Sequence, residues 1–116
     1  MCGRYVLATP VTELQRRFGF RELPNLPPSY NIAPTQTAPV VRLRPDGADR
    51  ELAMLRWGLV PPWSEGPSSP YNLINARAET VAVKPAFRGA FRRRRCLVPA
   101  DGFYEWVRHA SRMETE

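Results

Sequence analysis

The chain has 116 residues, of which 43% are hydrophobic and 24% charged, as expected for one globular domain with one core. No apolar run is long enough to span a membrane, and we expect no secretory leader. Two cysteines are too few for a disulfide framework or a closed zinc site. The net charge of +6 comes almost entirely from arginine, which favours a polyanionic partner, although a GC-rich genome would also enrich arginine codons.

The first five residues, Met1-Cys2-Gly3-Arg4-Tyr5, hold the most unusual chemical group. Removal of Met1, expected before a small side chain, would leave Cys2 with a free α-amine beside its thiol. An α-amine titrates at about pH 8 and a thiol at about pH 8.5, so both keep a nucleophilic fraction at neutral pH. The pair can condense with an aldehyde to an imine and then close a thiazolidine ring. The alternative is that Cys2 is an ordinary second residue.

A helix is predicted after Thr9, with Thr9 as N-cap and Pro10 at the first helical position. Apolar residues then recur at helical spacing, and a glycine can end the helix: Val11, Leu14, Phe18 and Gly19.

Residues 30–36 show no regular period and predict an extended loop with side-chain hydrogen bonds. After this loop, residues 38–44 and 51–57 predict two strands of a hairpin, joined by a turn at Pro45-Asp46-Gly47.

Residues 73–79 pass from apolar to alternating polar and small side chains, which indicates either a crowded polar site or a strand that runs into a turn. A short helix is predicted over residues 85–91. The run Arg92 to Arg95 that follows is either the solvated end of this helix or a DNA-binding patch.

Residues 96–99 predict a short buried strand in which Cys96 is a core thiol. A further strand is predicted over residues 103–107. Its Glu105 is either exposed or, among aromatic neighbours, desolvated enough to raise its pKa toward that of an acid–base catalyst. Residues 108–116 are polar and suggest a hairpin loop without its second arm.

Five segments in this order resemble the SRAP family, the SOS-response-associated peptidases, which covalently trap abasic sites in single-stranded DNA. They are Met1-Cys2-Gly3-Arg4-Tyr5, Tyr30-Asn31-Ile32-Ala33-Pro34-Thr35, Trp57-Gly58-Leu59-Val60-Pro61-Pro62-Trp63, Asn75-Ala76-Arg77-Ala78-Glu79-Thr80 and Cys96-Leu97-Val98-Pro99-Ala100-Asp101-Gly102-Phe103-Tyr104-Glu105-Trp106. The resemblance implies an α+β fold: a mostly antiparallel, barrel-like β core with a few flanking helices.

The resemblance also implies a role for individual residues. Cys2 corresponds to the nucleophile, Asn75 to the residue that hydrogen-bonds the N-terminal amine and the adduct, and Glu105 to the acid that moves protons. Other matching positions imply contacts with DNA: Arg4 and Arg77 with phosphates, Trp63 and Trp106 with the path of the strand, and Pro34 with the groove. No cofactor and no metal are implied.

This chain departs from the family in length and in one motif. SRAP domains are considerably longer and carry a late His-Asp-Arg-Met-Pro-like motif, which His109 and Arg112-Met113 do not match in spacing. We therefore interpret residues 1–116 as one SRAP-like domain that is C-terminally truncated.

Several functions remain open at this point. The first is a monomeric, cytoplasmic sensor that crosslinks to abasic single-stranded DNA, without a membrane or a metal. The alternatives are a non-covalent single-stranded DNA-binding module, a peptidase limited to removing the residue ahead of Cys2, and an inactive fragment.

Overall fold

The computed structural model describes residues 2–64, 73–109 and 112–115. In these ranges the fold is α+β, with antiparallel strand pairs and two helices. The helices comprise eight and six residues, so neither is long enough to cross a bilayer.

The first helix, α1, runs from Val11 to Phe18 and confirms the helical periodicity. Leu14 is its buried residue, and Gly19 ends it in the left-handed conformation at φ 71°. The predicted cap is wrong: Pro10 occupies the N-cap position, and the Thr9 hydroxyl donates to the Asp101 carboxylate at 2.5 Å. The Thr9 hydroxyl thus binds a distant carboxylate, and α1 has no side-chain N-cap hydrogen bond.

The predicted hairpin is confirmed to within one residue at each end. Strand β3, Thr37–Leu43, pairs antiparallel with β4, Arg50–Arg56, in continuous register from Thr37↔Arg56 to Leu43↔Arg50. Gly47, at φ 76°, supplies the left-handed turn residue. Residues 38–41 of β3 are buried, so this strand forms one wall of the core.

A three-stranded sheet brings the N-terminal strand beside residues 102–103. Its central strand, β1 (Tyr5–Leu7), lies between β2 (Ser29–Ile32) and β5 (Gly102–Phe103), and both pairings are antiparallel. The predicted loop over residues 30–36 is therefore wrong in its first part, because residues 30–32 bond to β1 as strand. The two sheets and α1 enclose the buried core: Tyr5, Leu7, Leu14, Phe20, Ile32, Ala38, Val41 and Leu52.

The second half of the described chain departs most from prediction. The second helix, α2, spans Arg88–Arg93, three residues later than its predicted start, and none of its residues is buried. The predicted buried strand over residues 96–99 is reduced to a single bridge between Val41 and Leu97, and Cys96 is exposed and not a core thiol.

The aromatic segment that was predicted as one strand is split in two. After β5 the chain leaves the sheet for residues 104–105, and β6 (Trp106–His109) then pairs antiparallel with β7 (Arg112–Thr115). Residues 112–115 thus supply the second hairpin arm that the sequence did not indicate. The described strands form three separate sheets, and they do not close into the expected barrel-like core.

Candidate functional site

Cys2 lies three residues before β1 and lines a cavity of about 510 Å³. Its thiol is free and partly buried, and it points toward the Arg4 carbonyl oxygen at 3.7 Å. The rest of the wall is mainly apolar, with Arg56 as its charged member. It comes from β1, β3, β4 and the residues just after it, the segment around Cys96, and β5: Tyr5, Ala38, Val40, Leu55, Arg56, Trp57, Gly58, Leu59, Cys96, Val98, Ala100 and Phe103. The nucleophile candidate therefore opens onto a concave surface where water has few polar partners.

Asn75 reaches Cys2 across 73 residues of sequence. Its side-chain amide donates to the Cys2 backbone carbonyl at 2.9 Å, a contact in which the carbonyl can only accept. The resemblance implied a hydrogen bond between Asn75 and the N-terminal amine of Cys2. The observed hydrogen bond goes instead to the Cys2 carbonyl oxygen. Asn75 thus fixes the backbone that carries both the amine and the thiol.

Trp57 holds the segment that carries Asn75. Its indole N–H donates to the Ile74 carbonyl at 3.0 Å, and Leu59 and Leu73 form an antiparallel bridge just beside it. On its other side, the Trp57 carbonyl accepts the Thr35 amide at 2.9 Å, so the loop of Pro34 is held against the same residue. Trp57 therefore connects the segment around Asn75 with the segment around Pro34, both of which resemble the SRAP family.

Tyr5 packs against Trp57 next to Cys2. The two rings meet edge to face, with centroids 5.5 Å apart and planes at 61°. Burial raises the pKa of Tyr5, and the negative charge of a Cys2 thiolate raises it further. The phenol thus stays neutral beside the thiol and contributes packing and a hydroxyl group.

Arg4 is exposed at the edge of this site. Its guanidinium donates to the Asn31 side-chain oxygen at 3.1 Å, and its carbonyl accepts the Tyr104 amide at 3.0 Å. Arg77 is also exposed, two residues after Asn75. Within the described ranges neither guanidinium pairs with a carboxylate, so both keep their charge available for an anion.

Glu105 does not have the desolvated environment that was one of its two interpretations. It is exposed, because the chain leaves the sheet at residues 104–105 instead of continuing as a half-buried strand. Glu105 is still close to the N-terminal segment, because the backbone amide of the preceding residue, Tyr104, donates a hydrogen bond to the Arg4 carbonyl.

The remaining candidates do not line the cavity. Trp63 and Trp106 are exposed by 53% and 68%, and Pro34 is half-buried. Removal of Met1 concerns a residue outside the described part of the chain. Within the described ranges no three His, Cys, Asp or Glu side chains converge as metal ligands would.

Asp101 positions the returning segment against the N-terminal one. Its carboxylate accepts hydrogen bonds from the Thr9 hydroxyl and from the backbone amides of Ala8 and Thr9, which lowers its pKa. The neighbouring Asp101 amide donates to the Val6 carbonyl at 2.7 Å. These bonds hold β5, and with it Phe103, beside Cys2.

Sequence reasoning missed four residues that build the site: Tyr5, Trp57, Asp101 and Phe103. Each lies within a segment that resembles the family, so the segments themselves were the available signal. Their roles depend on contacts between segments far apart in sequence, such as Asp101 with Thr9, which no local pattern reveals.

Cys96 forms part of the same cavity wall as Cys2. It is exposed as a residue, yet partial covering of its thiol raises its pKa, against the opposing effect of the Arg42 charge. Burial therefore favours the neutral form of the Cys96 thiol.

Comparison with known proteins gives a consistent family match. The family model "SOS response associated peptidase (SRAP)" matches residues 1–115. The "Abasic site processing protein YoqW" of Bacillus subtilis is 43% identical, over 93% of this chain and 49% of the relative. The "Abasic site processing protein HMCES" of Rattus norvegicus is 38% identical, over 93% of this chain and 37% of the relative.

A solved structure also shares the fold. A crystal structure of a protein from Bordetella bronchiseptica superposes with a TM-score of 0.66 at 30% identity, covering 90% of this chain and 51% of that one. The chain spans about half the length of this protein and of the Bacillus relative, and a smaller share of the rat relative.

Proposed function

Because the chain belongs to the SOS response associated peptidase (SRAP) family, we propose that it processes abasic sites in single-stranded DNA by covalent capture through Cys2. The observation that carries this proposal is the hydrogen bond from Asn75 to Cys2, a residue that lines a mainly apolar cavity. Relatives named as abasic site processing proteins support the choice of lesion.

The chemistry begins at the α-amine that removal of Met1 would expose. An abasic sugar is mostly a closed hemiacetal, and its opening to the aldehyde requires proton transfer, which we assign to Glu105. The amine nitrogen of Cys2 attacks the aldehyde carbon, and loss of water gives an imine. Asn75 keeps the Cys2 backbone in place during these steps.

The thiol then closes the ring. The Cys2 sulfur bonds to the imine carbon, and its proton is transferred to the nitrogen, which yields a thiazolidine. An imine at an abasic site promotes β-elimination and strand cleavage, so this second step protects the strand. It is covalent catalysis in which the product stays attached to the protein.

The arginines and aromatic residues near the site suit a single strand. Arg4 and Arg77 are exposed and would hold backbone phosphates, while Trp63 and Trp106 offer faces on which bases stack. Pro34 would border the groove. In this proposal phosphate contacts set the register, and the aldehyde alone distinguishes the lesion.

The test is incubation with an abasic single-stranded oligonucleotide, followed by denaturing electrophoresis. Wild type should give a heat-stable, slow-migrating band, and Cys2→Ala should give none. Cys2→Ser retains the amine and should give an imine that survives only after borohydride reduction. A stable band from Cys2→Ala would reject capture through Cys2.

A non-covalent single-strand binder is the second candidate, favoured by the exposed arginines. It predicts equal affinity for intact and abasic strands and no band with any variant. The same gel, run beside a filter-binding measurement, separates the two functions.

A further inference from the structure

A second cavity lies on α2 and shares no lining residue with the cavity that contains Cys2. It has a volume of about 470 Å³ and is lined by Ala82, Arg88, Gly89, Arg92 and Arg93. All five residues are exposed, and three of them are arginines. The cavity thus concentrates positive charge in a concave surface that the proposed capture chemistry does not use.

Local charge does not neutralise this cavity. Residues 80–100 include six basic residues and no aspartate or glutamate. In the described part of the chain, every ion pair involves an arginine between residues 16 and 44, and none involves the three cavity arginines. Arg88 and Arg92, four residues apart on one helix, repel each other without a carboxylate between them.

The geometry leaves room for an anion between these side chains. Gly89 adds no side chain to the cavity floor, and the nearest atom that a β-carbon there would meet is a guanidinium nitrogen of Arg94 at 3.8 Å. Arg95, by contrast, is held by its own helix: it donates to the Phe91 carbonyl at 2.6 Å and stacks 3.6 Å above the Phe91 ring. Arg88, Arg92 and Arg93 therefore remain available for a ligand.

The cavity also lies close to the Cys2 site along the chain. Arg93 is three residues before Cys96, which lines the Cys2 cavity. Three residues span at most about 11 Å, so one strand of nucleic acid could reach both places.

We propose that Arg88, Arg92 and Arg93 form a second phosphate-binding surface, which holds the backbone of the same single-stranded DNA a short distance from the captured lesion. This inference rests on the proposed function for the identity of the strand. The guanidinium fork matches phosphate oxygens, and such contacts add affinity without sequence preference.

The test uses the full chain with Cys2→Ala, so that only non-covalent binding is measured, and an intact single-stranded oligonucleotide. Arg92→Gln together with Arg93→Gln removes two charges at exposed positions while keeping helix propensity. We expect about tenfold weaker binding at low salt. The slope of log affinity against log salt should fall by about 1.4, because each single-strand phosphate contact contributes about 0.7.

The matched control is Arg16→Gln together with Arg17→Gln. It removes the same charge from another helix, where both arginines already pair with Glu13. Affinity and salt slope should stay near those of the parent. An α2 variant that binds like the parent, or no more weakly than the α1 control, would overturn the proposal, and so would an equal or larger loss toward duplex DNA than toward the single strand.

Failure of this inference can be told apart from failure of covalent capture. If the α2 variant loses the salt-dependent binding while wild type forms no crosslink, the surface stands and the capture proposal falls. If wild type crosslinks and the α2 variant binds intact strands unchanged, capture stands and the surface falls.

Discussion

At the scale of single residues, the proposed capture depends on how Cys2 is held. Two contacts orient it: the amide of Asn75 on its carbonyl at 2.9 Å and the Arg4 carbonyl near its thiol at 3.7 Å. Tyr5 and Trp57 pack beside it, and burial raises the pKa of the Tyr5 phenol. A nucleophile fixed in this way loses little conformational entropy when it reacts.

Asn75→Ala should therefore slow crosslink formation roughly fivefold, which corresponds to the loss of one hydrogen bond worth about 1 kcal/mol. The measurement is a single-turnover time course with abasic single-stranded DNA. Asn25→Ala, at an exposed asparagine, is the matched control and should leave the rate unchanged. Equal rates for the two variants would show that Asn75 does not position Cys2.

At the scale of elements, α1 is attached to the sheets through one buried side chain. Leu14 is 4% exposed and packs in the core with Tyr5 and Leu7 of β1. The helix thus supports the strand that follows Cys2, although it carries no candidate site residue.

Leu14→Ala should lower the free energy of unfolding by about 2–5 kcal/mol, because it removes buried methyl groups and leaves a cavity. Thr12→Ala, on the exposed side of α1, should change it by less than about 0.5 kcal/mol. Urea unfolding followed by circular dichroism measures both. A Leu14→Ala cost as small as that of Thr12→Ala would contradict the packing described here.

Glu22 ties the segment after α1 to the β3–β4 hairpin. Its carboxylate accepts the Leu52 amide at 3.0 Å and pairs with Arg44 at 2.5 Å. The backbone hydrogen bond from Leu52 is the main cause that lowers the pKa of Glu22 to about 2, with Arg44 adding to it.

Because the pKa of Glu22 is lower in the folded state than in the unfolded chain, its carboxylate stabilises the fold. This contribution is complete above the ordinary glutamate pKa and is lost as the pH falls toward about 2. Melting temperatures should therefore fall between about pH 4.5 and pH 2 in wild type, and by less in Glu22→Gln. Glu79→Gln, at an exposed glutamate, should follow wild type. If the melting temperature of Glu22→Gln fell with pH as much as that of wild type, Glu22 would not be a cause of the acid destabilisation.

At the scale of the whole molecule, charge is divided between two regions. In the described ranges, carboxylates pair with arginines of α1, with Arg21 after it and with arginines of the β3–β4 hairpin, whereas Arg4, Arg77 and the arginines of α2 have no such partners. Arginines without a carboxylate partner therefore lie in the Cys2 segment, two residues after Asn75 and on α2. This distribution suits a strand that contacts Cys2 and α2 together.

Local patterns predicted the elements that depend on local interactions. The spacing of Val11, Leu14 and Phe18 gave α1, and the alternation around Pro45-Asp46-Gly47 gave the hairpin, because each signal lies within one segment. The family-like segments also indicated Cys2 and Asn75 as neighbours, and their contact is present. The chemical roles of these residues stay predictions.

Elements that depend on distant partners were predicted less well. Residues 96–99 read as a buried strand from their apolar side chains, yet Leu97 forms only one bridge and remains 49% exposed. Thr9 read as a helix cap, but Asp101, far along the chain, binds its hydroxyl. Whether an apolar or polar residue finds such a partner is decided by the tertiary fold.

The most direct measurement is the intact mass of the protein after reaction with abasic single-stranded DNA, made on a form with a cleavable leader before Cys2. With the leader in place the α-amine is part of a peptide bond, and no adduct should form. After cleavage at Cys2 the mass should increase by that of the oligonucleotide less one water, and borohydride should add no hydrogen, since the ring has closed. An adduct that forms with the leader still attached would contradict capture by the Cys2 amine and thiol.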